Sequence, residues 1–182
     1  MMQHLPIWYL GQLPEAVIDA AAAEFIALPT RDASMDPQGE TLNHENRDTT
    51  VRFADPDHWF GGLLYQFGCK ANAECGWNYD LTGHEAVQYG EYGPQQHYDW
   101  HTDTFVLAQL PRERKVSVSV FMNDPEEFSG GEFQLRLYRD YSPVVKKGSM
   151  LAFPSLLQHR VTPVISGTRF SSVMWLHGPR LR

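Results

Sequence analysis

Ser149-Met-Leu-Ala-Phe-Pro-Ser-Leu-Leu-Gln-His159-Arg-Val-Thr-Pro-Val-Ile-Ser-Gly-Thr-Arg169-Phe-Ser-Ser-Val-Met-Trp-Leu176 reads as three β-strands, at 149–153, 158–164 and 169–176. In the last of them Arg169, Ser171, Val173 and Trp175 alternate onto one face. An arginine and a serine side by side on an inward face need a partner, because a buried unpaired guanidinium is costly. A bound carboxylate would satisfy both. Were that face outward, Arg169 would sit in solvent, an arrangement that Trp175 at the far end argues against.

Upstream of this stretch, further strands are expected at 77–81, 85–92, 97–101, 115–122 and 132–138. Turn signals such as Pro125 to Gly131 and Lys147-Gly148 separate them. The N-terminal part differs. Ile7–Leu10 reads as a short strand, and Pro14 suits the first turn of a helix over 15–26 that Pro29 closes. Residues 29–48, rich in Pro, Asp, Asn, Gly and Thr, read as a long loop and a candidate lid. Another strand is expected at 50–53, then a second helix over 57–73 with Trp59, Phe60, Leu63, Leu64 and Phe67 at helical spacing. Two helices followed by about eight strands predict an α+β, mainly β chain. The architecture expected is a double-stranded β-helix, the jelly roll shared with cupins. It is read as one domain over 1–182, a helical lead-in and loop (1–76) before a jelly-roll core (77–176).

Two nested His-x-Asp pairs, His97-Tyr-Asp99 and His101-Thr-Asp103, fall on one predicted strand. Alternation would put residues 97, 99, 101 and 103 on one face, with i and i+2 about 6–7 Å apart. That separation lets a histidine and an aspartate converge on one ion, but it does not say which pair does so. His159, on a later strand, is the natural third ligand. Two histidines and one carboxylate suit iron, manganese or zinc, and positions left open favour Fe(II). The plain alternative is a hydrogen-bonded polar strand without metal.

Composition narrows the classes. The chain has 182 residues, 42% of them hydrophobic and 20% charged, as in an ordinary globular protein. A net charge of -7 and the lack of a Lys/Arg cluster argue against a nucleic-acid partner. No apolar stretch approaches the length of a membrane span, and Met1-Met-Gln-His-Leu-Pro is not a secretory signal, so a cytoplasmic protein is expected. Cys69 and Cys75 lack further cysteines to complete a zinc set and are read as reduced helix residues.

Three stretches together resemble Fe(II)/2-oxoglutarate oxygenases of the prolyl-4-hydroxylase-like class, particularly the small PKHD-type hydroxylases of bacteria and phages. Tyr92-Gly-Pro-Gln-Gln-His97-Tyr-Asp-Trp-His101-Thr-Asp103 is similar to the family's Tyr-Gly…Tyr-x-x-His-x-Asp. Lys115-Val-Ser-Val-Ser-Val-Phe121 continuing to Gly130-Gly-Glu132 resembles its strand and Gly-Gly-Glu hairpin. Gly148 to Ser155, with His159-Arg-Val-Thr-Pro-Val…Gly167-x-Arg169, resembles its distal end. The likeness runs from about residue 77 to 176.

The resemblance implies iron ligation by His101, Asp103 and His159, because the family's tyrosine stands three residues before its metal histidine, as Tyr98 does before His101. His97 and Asp99 then become residues of the pocket or neighbours standing behind the ligands. It also implies that Arg169 binds the far carboxylate of 2-oxoglutarate, with Ser171 assisting and Tyr92 nearby. Tyr98 and Trp175 match substrate-pocket positions, and with Trp100 they supply an aromatic pocket. Phe121 stands where some prolyl hydroxylases have a tyrosine, and Arg169 where the collagen-type branch has a lysine. Trp175 occupies the place of a second arginine found in nucleic-acid demethylases, which sets that reading aside.

The activity implied is hydroxylation of an aliphatic C–H, with a prolyl residue of a peptide or protein as the expected substrate and release of succinate and CO2. Fe(II), 2-oxoglutarate and O2 are the cofactors implied, with ascorbate as an accessory reductant. The same chemistry on a free amino acid or other small molecule is the first alternative. A jelly roll that binds metal without turnover is the second.

Overall fold

The computed structural model describes residues 6–33, 45–104 and 111–180. Strand β1 (Tyr9–Gln12) leads into helix α1 (Glu15–Ile26); short strands β2 (Arg31–Asp32) and β3 (Arg47–Asp48), strand β4 (Thr50–Phe53) and helix α2 (Trp59–Glu74) follow. The rest is β-structure: β5 (Gly83–His84), β6 (Gln88–Tyr92), β7 (His97–His101), β8 (Arg112–Phe121), β9 (Phe128–Gly130) and β10 (Phe133–Arg136). Then come β11 (Asp140–Tyr141), β12 (Ser149–Pro154), β13 (Gln158–Val161), β14 (Val164–Gly167) and β15 (Arg169–Pro179).

Two antiparallel sheets face each other. The larger runs β1-β12-β8-β15-β6-β4-β2, with β5 beside the end of β15, and the smaller runs β11-β10-β13-β7-β3. Strands β9 and β14 pair separately. This is the expected double-stranded β-helix with two supporting helices.

Residue parity divides the core in two. Val116, Val118 and Val120 of β8, Met174 and Leu176 of β15, and Met150 and Ala152 of β12 meet the helices, against Ile18 and Phe25 of α1 and Phe60 and Leu64 of α2. The alternate residues, among them Phe121, Leu151 and Phe153, face the smaller sheet and pack with Phe133, Leu135 and Val161. A central strand buried on both faces cannot alternate between apolar and charged residues. Here it alternates valine with serine, which keeps the inward face polar at Ser117 and Ser119. Helix α2 lies close on the sheet because residue 68 is glycine: a Cβ there would stand 2.6 Å from Leu176 Cδ2. It begins at Trp59 because His58 caps it, Nδ1 accepting the Phe60 N–H at 3.3 Å while Nε2 meets Glu24 at 2.9 Å.

Several expectations need correction. No strand forms over 77–81, because Gly76 (φ 67°) and Asn78 (φ 55°) turn the chain through left-handed conformations after α2. The run 158–164 is broken at Pro163, which has no N–H to give a ladder. Its first half joins the smaller sheet as β13, and its second pairs with β9 as β14. The 132–138 strand is limited to Phe133–Arg136, whereas 169–176 extends to Pro179. Most of the proposed lid, 34–44, lies outside the described residues. Its flanks form β2 and β3, which join the larger and smaller sheets respectively. Among the described residues no helix is long and apolar enough to cross a membrane. Cys69 and Cys75 are free thiols.

Candidate active site

His101 closes β7, Asp103 follows two residues later, and His159 lies on β13, directly opposite His101 in the ladder. Their ligand atoms all lie within 4.8 Å of one another. His159 Nε2 is 3.3 Å from Asp103 Oδ2, and His101 Nε2 is 3.7 Å from Asp103 Oδ1.

The proton positions of both rings follow from their partners. His101 Nδ1 lies 2.7 Å from the Asp99 carbonyl oxygen and His159 Nδ1 lies 3.0 Å from that of Leu157. A carbonyl can only accept, so each Nδ1 carries a hydrogen, and each Nε2 is left facing Asp103. Burial, followed by the neighbouring His159, lowers the His101 pKa to about 3 and keeps its ring neutral. Burial alone would raise the Asp103 carboxyl. His159, then His101 and Arg114, outweigh it and hold the group below the ordinary carboxylate range. Two imidazole nitrogens and a carboxylate thus converge in a buried place, a donor set suited to a divalent cation. Nδ1–H bonds to backbone carbonyls are also how metal-binding imidazoles are commonly oriented. The donor set fits the metal that the sequence implied.

The second feature is an isolated cation. Arg169 is 1% exposed, and burial depresses its pKa. Its Nη1 donates to Ser171 Oγ at 3.0 Å, while its buried Nε–H has no partner among the described residues. The guanidinium carbon lies 5.3 Å from the ring centres of both Tyr92 and Phe121. Among the described residues no carboxylate accompanies it, and this buried donor set leaves a place for an anion. Gly131 leaves room for the side chain. Its φ is +61°, and a Cβ there would come 3.1 Å from Arg169 Cδ and 3.0 Å from Val164 Cγ2.

One pocket between the sheets joins the two features. His101, Asp103, His159, Arg169, Ser171, Tyr92, Tyr98 and Trp175 all line it, with Phe133, Phe153 and Val161 as apolar walls. The inward face of β15 is therefore the one read from alternation. On β7 alternation fails: Tyr98 pairs with Val161 and His101 with His159, so three steps on β7 oppose two on β13. This bulge turns both Tyr98 and His101 into the pocket.

His97 and Asp99 are not brought into the cluster. The His97 ring meets the carbonyls of Gln95 and Glu45, and Asp99 accepts the Trp100 N–H at 2.7 Å. Trp100 does not join the pocket either. Its ring lies between the guanidiniums of Arg136, at 3.7 Å, and Arg160, at 4.6 Å. Three neighbours of the site were not foreseen. Ser117 donates to Asp103 Oδ2 at 2.6 Å, Ser155 lies 2.9 Å behind Ser117, and Arg47 stacks 4.5 Å over Tyr98. A serine at an inward position of the valine-rich strand was a visible signal for Ser117. Ser155 and Arg47 had none.

Comparison with known proteins agrees with this geometry. A PKHD-type hydroxylase of Crocosphaera subtropica is 34% identical over 94 residues, covering 50% of this chain and 42% of that protein. The match thus spans less than half the length of that curated relative. A prolyl-4-hydroxylase of Pseudomonas putida superposes with a TM-score of 0.72 at 19% identity, over 94% of this chain and 93% of that one. A prolyl hydroxylase from Trichoplax adhaerens, in complex with a hypoxia inducible factor oxygen degradation domain peptide fragment, does so with a TM-score of 0.72 at 15% identity, over 93% and 83%. At such identities these structures establish the shared fold. The model of the 2OG-Fe(II) oxygenase superfamily matches residues 87–177, half of the chain and a span that contains the whole pocket. On that match the chain belongs to the 2OG-Fe(II) oxygenase superfamily.

Proposed function

We propose that the chain is an Fe(II)- and 2-oxoglutarate-dependent dioxygenase that hydroxylates an aliphatic C–H, with a prolyl residue of a peptide or protein as substrate. The observation that carries this reading is the pairing, within one pocket, of the His101–Asp103–His159 cluster at one place with the buried Arg169, which has no carboxylate partner among the described residues, at another.

His101, Asp103 and His159 would hold the Fe(II). When bound, the metal together with 2-oxoglutarate and O2 supplies oxidative decarboxylation coupled to insertion of one oxygen atom into a C–H bond, with succinate and CO2 as co-products. Arg169 and Ser171 bind the distal carboxylate of the co-substrate, and the pairing is strong because that carboxylate replaces no existing partner. Tyr92 borders the same anchor through the contact of its ring with Arg169. Phe133, Phe153 and Val161 exclude water and keep the dielectric low around these charges. Tyr98 and Trp175 offer flat apolar surfaces to a substrate ring. A compact aliphatic ring in a peptide suits such walls, and two of the solved structures with this fold are prolyl hydroxylases, one in complex with a peptide fragment.

The test is to incubate iron-loaded protein with 2-oxoglutarate, O2 and proline-containing peptides, following succinate and peptide mass. Succinate together with peptides one oxygen atom heavier at proline is the expected result. Turnover of free amino acids in place of peptides would overturn the substrate assignment, and no succinate from iron-loaded protein would overturn the chemistry.

A further inference from the structure

Asp103 is held by more than its place after β7. Its Oδ2 accepts from Ser117 Oγ at 2.6 Å, and Ser117 Oγ is in turn 2.9 Å from Ser155 Oγ. Both serines are fully buried. A carboxylate can only accept, so the single Ser117 proton is committed to Asp103, and Ser155 must donate to Ser117. The direction is therefore Ser155 to Ser117 to Asp103, a chain in which each hydrogen bond polarises the next. The 2.6 Å separation is that of a charge-assisted O–H···O⁻ bond. The main chain locks the same parts together: the Asp103 N–H donates to the Ser155 carbonyl, and the Ser155 N–H to that of Lys115, each at 2.9 Å.

We propose that Ser117 and Ser155 form a two-hydroxyl relay that positions the Asp103 carboxylate for the metal and tunes its strength as a ligand. Both are positioning residues: Ser117 touches Asp103, and Ser155 acts only through Ser117. The inference rests on the metal-site reading given above. Partners of this kind behind a ligand typically change metal affinity by about 10–100-fold.

The experiment is an oxygen-free calorimetric titration of the full chain with Mn(II), comparing wild type with Ser117→Ala, Ser117→Thr, Ser155→Ala and the double alanine variant. Co(II) absorption spectra serve as a second readout of ligand geometry. Ser117→Ala is expected to weaken Mn(II) binding by about 10–100-fold and to alter the Co(II) spectrum, while Ser117→Thr, which keeps the hydroxyl, restores both. Ser155→Ala should weaken binding less, and the double variant should bind no more weakly than Ser117→Ala alone, because residues acting in series are not additive. Binding by Ser117→Ala as tight as wild type would overturn the relay. So would a threonine variant as weak as alanine, which would make the effect one of packing. If Ser117→Ala fails to fold, unchanged affinity in Ser155→Ala overturns it instead. A wild type that binds no Mn(II) would refute the metal site itself and is distinguishable from all of these.

Discussion

Tyr98 lies flat on His101, with ring centres 3.4 Å apart and planes inclined by 9°. The pair is three residues apart on one strand, and only the bulge in β7 lets both rings face the pocket. Tyr98 also carries the Arg47 guanidinium at 4.5 Å from its ring centre, so a cation and the His101 imidazole both pack on one phenol ring. Burial raises the Tyr98 phenol to about 12, and it stays neutral at physiological pH.

The stack predicts which substitutions at Tyr98 matter. Aromatic pairs contribute about 0.5–1.5 kcal/mol beyond their buried area. Tyr98→Phe keeps the ring and should leave Mn(II) affinity nearly unchanged, whereas Tyr98→Ala should weaken it by about two- to tenfold. Titration calorimetry on the two variants checks this, and equal effects would mean that the ring does not orient His101.

Arg169 predicts a stability effect that depends on ligand. Its buried charge has no carboxylate partner among the described residues, so, if it is the anchor proposed above, 2-oxoglutarate should raise the melting temperature of metal-loaded wild type. At a hundred times its dissociation constant a ligand adds about 2.7 kcal/mol. Arg169→Ala should abolish most of that shift and raise the apparent 2-oxoglutarate requirement at least about tenfold, since a hydrogen bond to a charged group contributes about 1.5–3 kcal/mol. Thermal scans with and without 2-oxoglutarate measure the first effect, and succinate formation against co-substrate concentration measures the second.

Gly131 should behave as part of that anchor. A Cβ at φ +61° is strained, and it would press on Arg169 Cδ and Val164 Cγ2. Gly131→Ala is expected to lower stability by about 1–3 kcal/mol and to raise the 2-oxoglutarate requirement as well. Denaturant melts and co-substrate titration separate the two effects. A loss of stability with an unchanged requirement would confine Gly131 to the turn.

The acid limb of stability follows from the cluster. His101 titrates near 3 in the folded protein against a usual 6.5. Between those values the unfolded chain takes up the proton and the folded one does not. Stability from this group is complete above about pH 6.5 and falls as pH drops toward 3, by up to about 1.4 kcal/mol per pH unit. Asp103, held below its ordinary range, acts in the same direction: its contribution is present above the usual carboxylate pKa and lost as pH falls through its depressed one. Metal-free protein should therefore lose stability from pH 6.5 downward, and His101→Gln should flatten the upper part of that slope. Denaturant unfolding across pH measures it.

How much could be read in advance depended on the regularity of each segment. β15 keeps strict alternation from Arg169 to Leu176, so the shared face of Arg169, Ser171 and Trp175 followed from period alone. β7 does not, and no local signal in His97–His101 announced its bulge. The family likeness, and not strand geometry, chose His101 and Asp103 over His97 and Asp99. Trp100 was an aromatic next to a candidate ligand, but its ring packs on two arginines from β10 and β13. Pro163 was a visible reason to break 158–164, whereas the turn after α2 depends on Asn78, a residue that tolerates a left-handed backbone without demanding it. Ser155 became part of the site only through a contact spanning 38 residues of sequence, the kind of pairing that composition and period do not encode.

The measurement that bears most directly on the whole account is an oxygen-free titration of 2-oxoglutarate into the protein with and without Mn(II), on wild type, His159→Ala and Arg169→Ala. One pocket holding both the metal cluster and the carboxylate anchor predicts one-to-one binding that requires the metal in wild type and is lost or severely weakened in both variants. Equal binding with and without metal, or binding indifferent to Arg169, would contradict it.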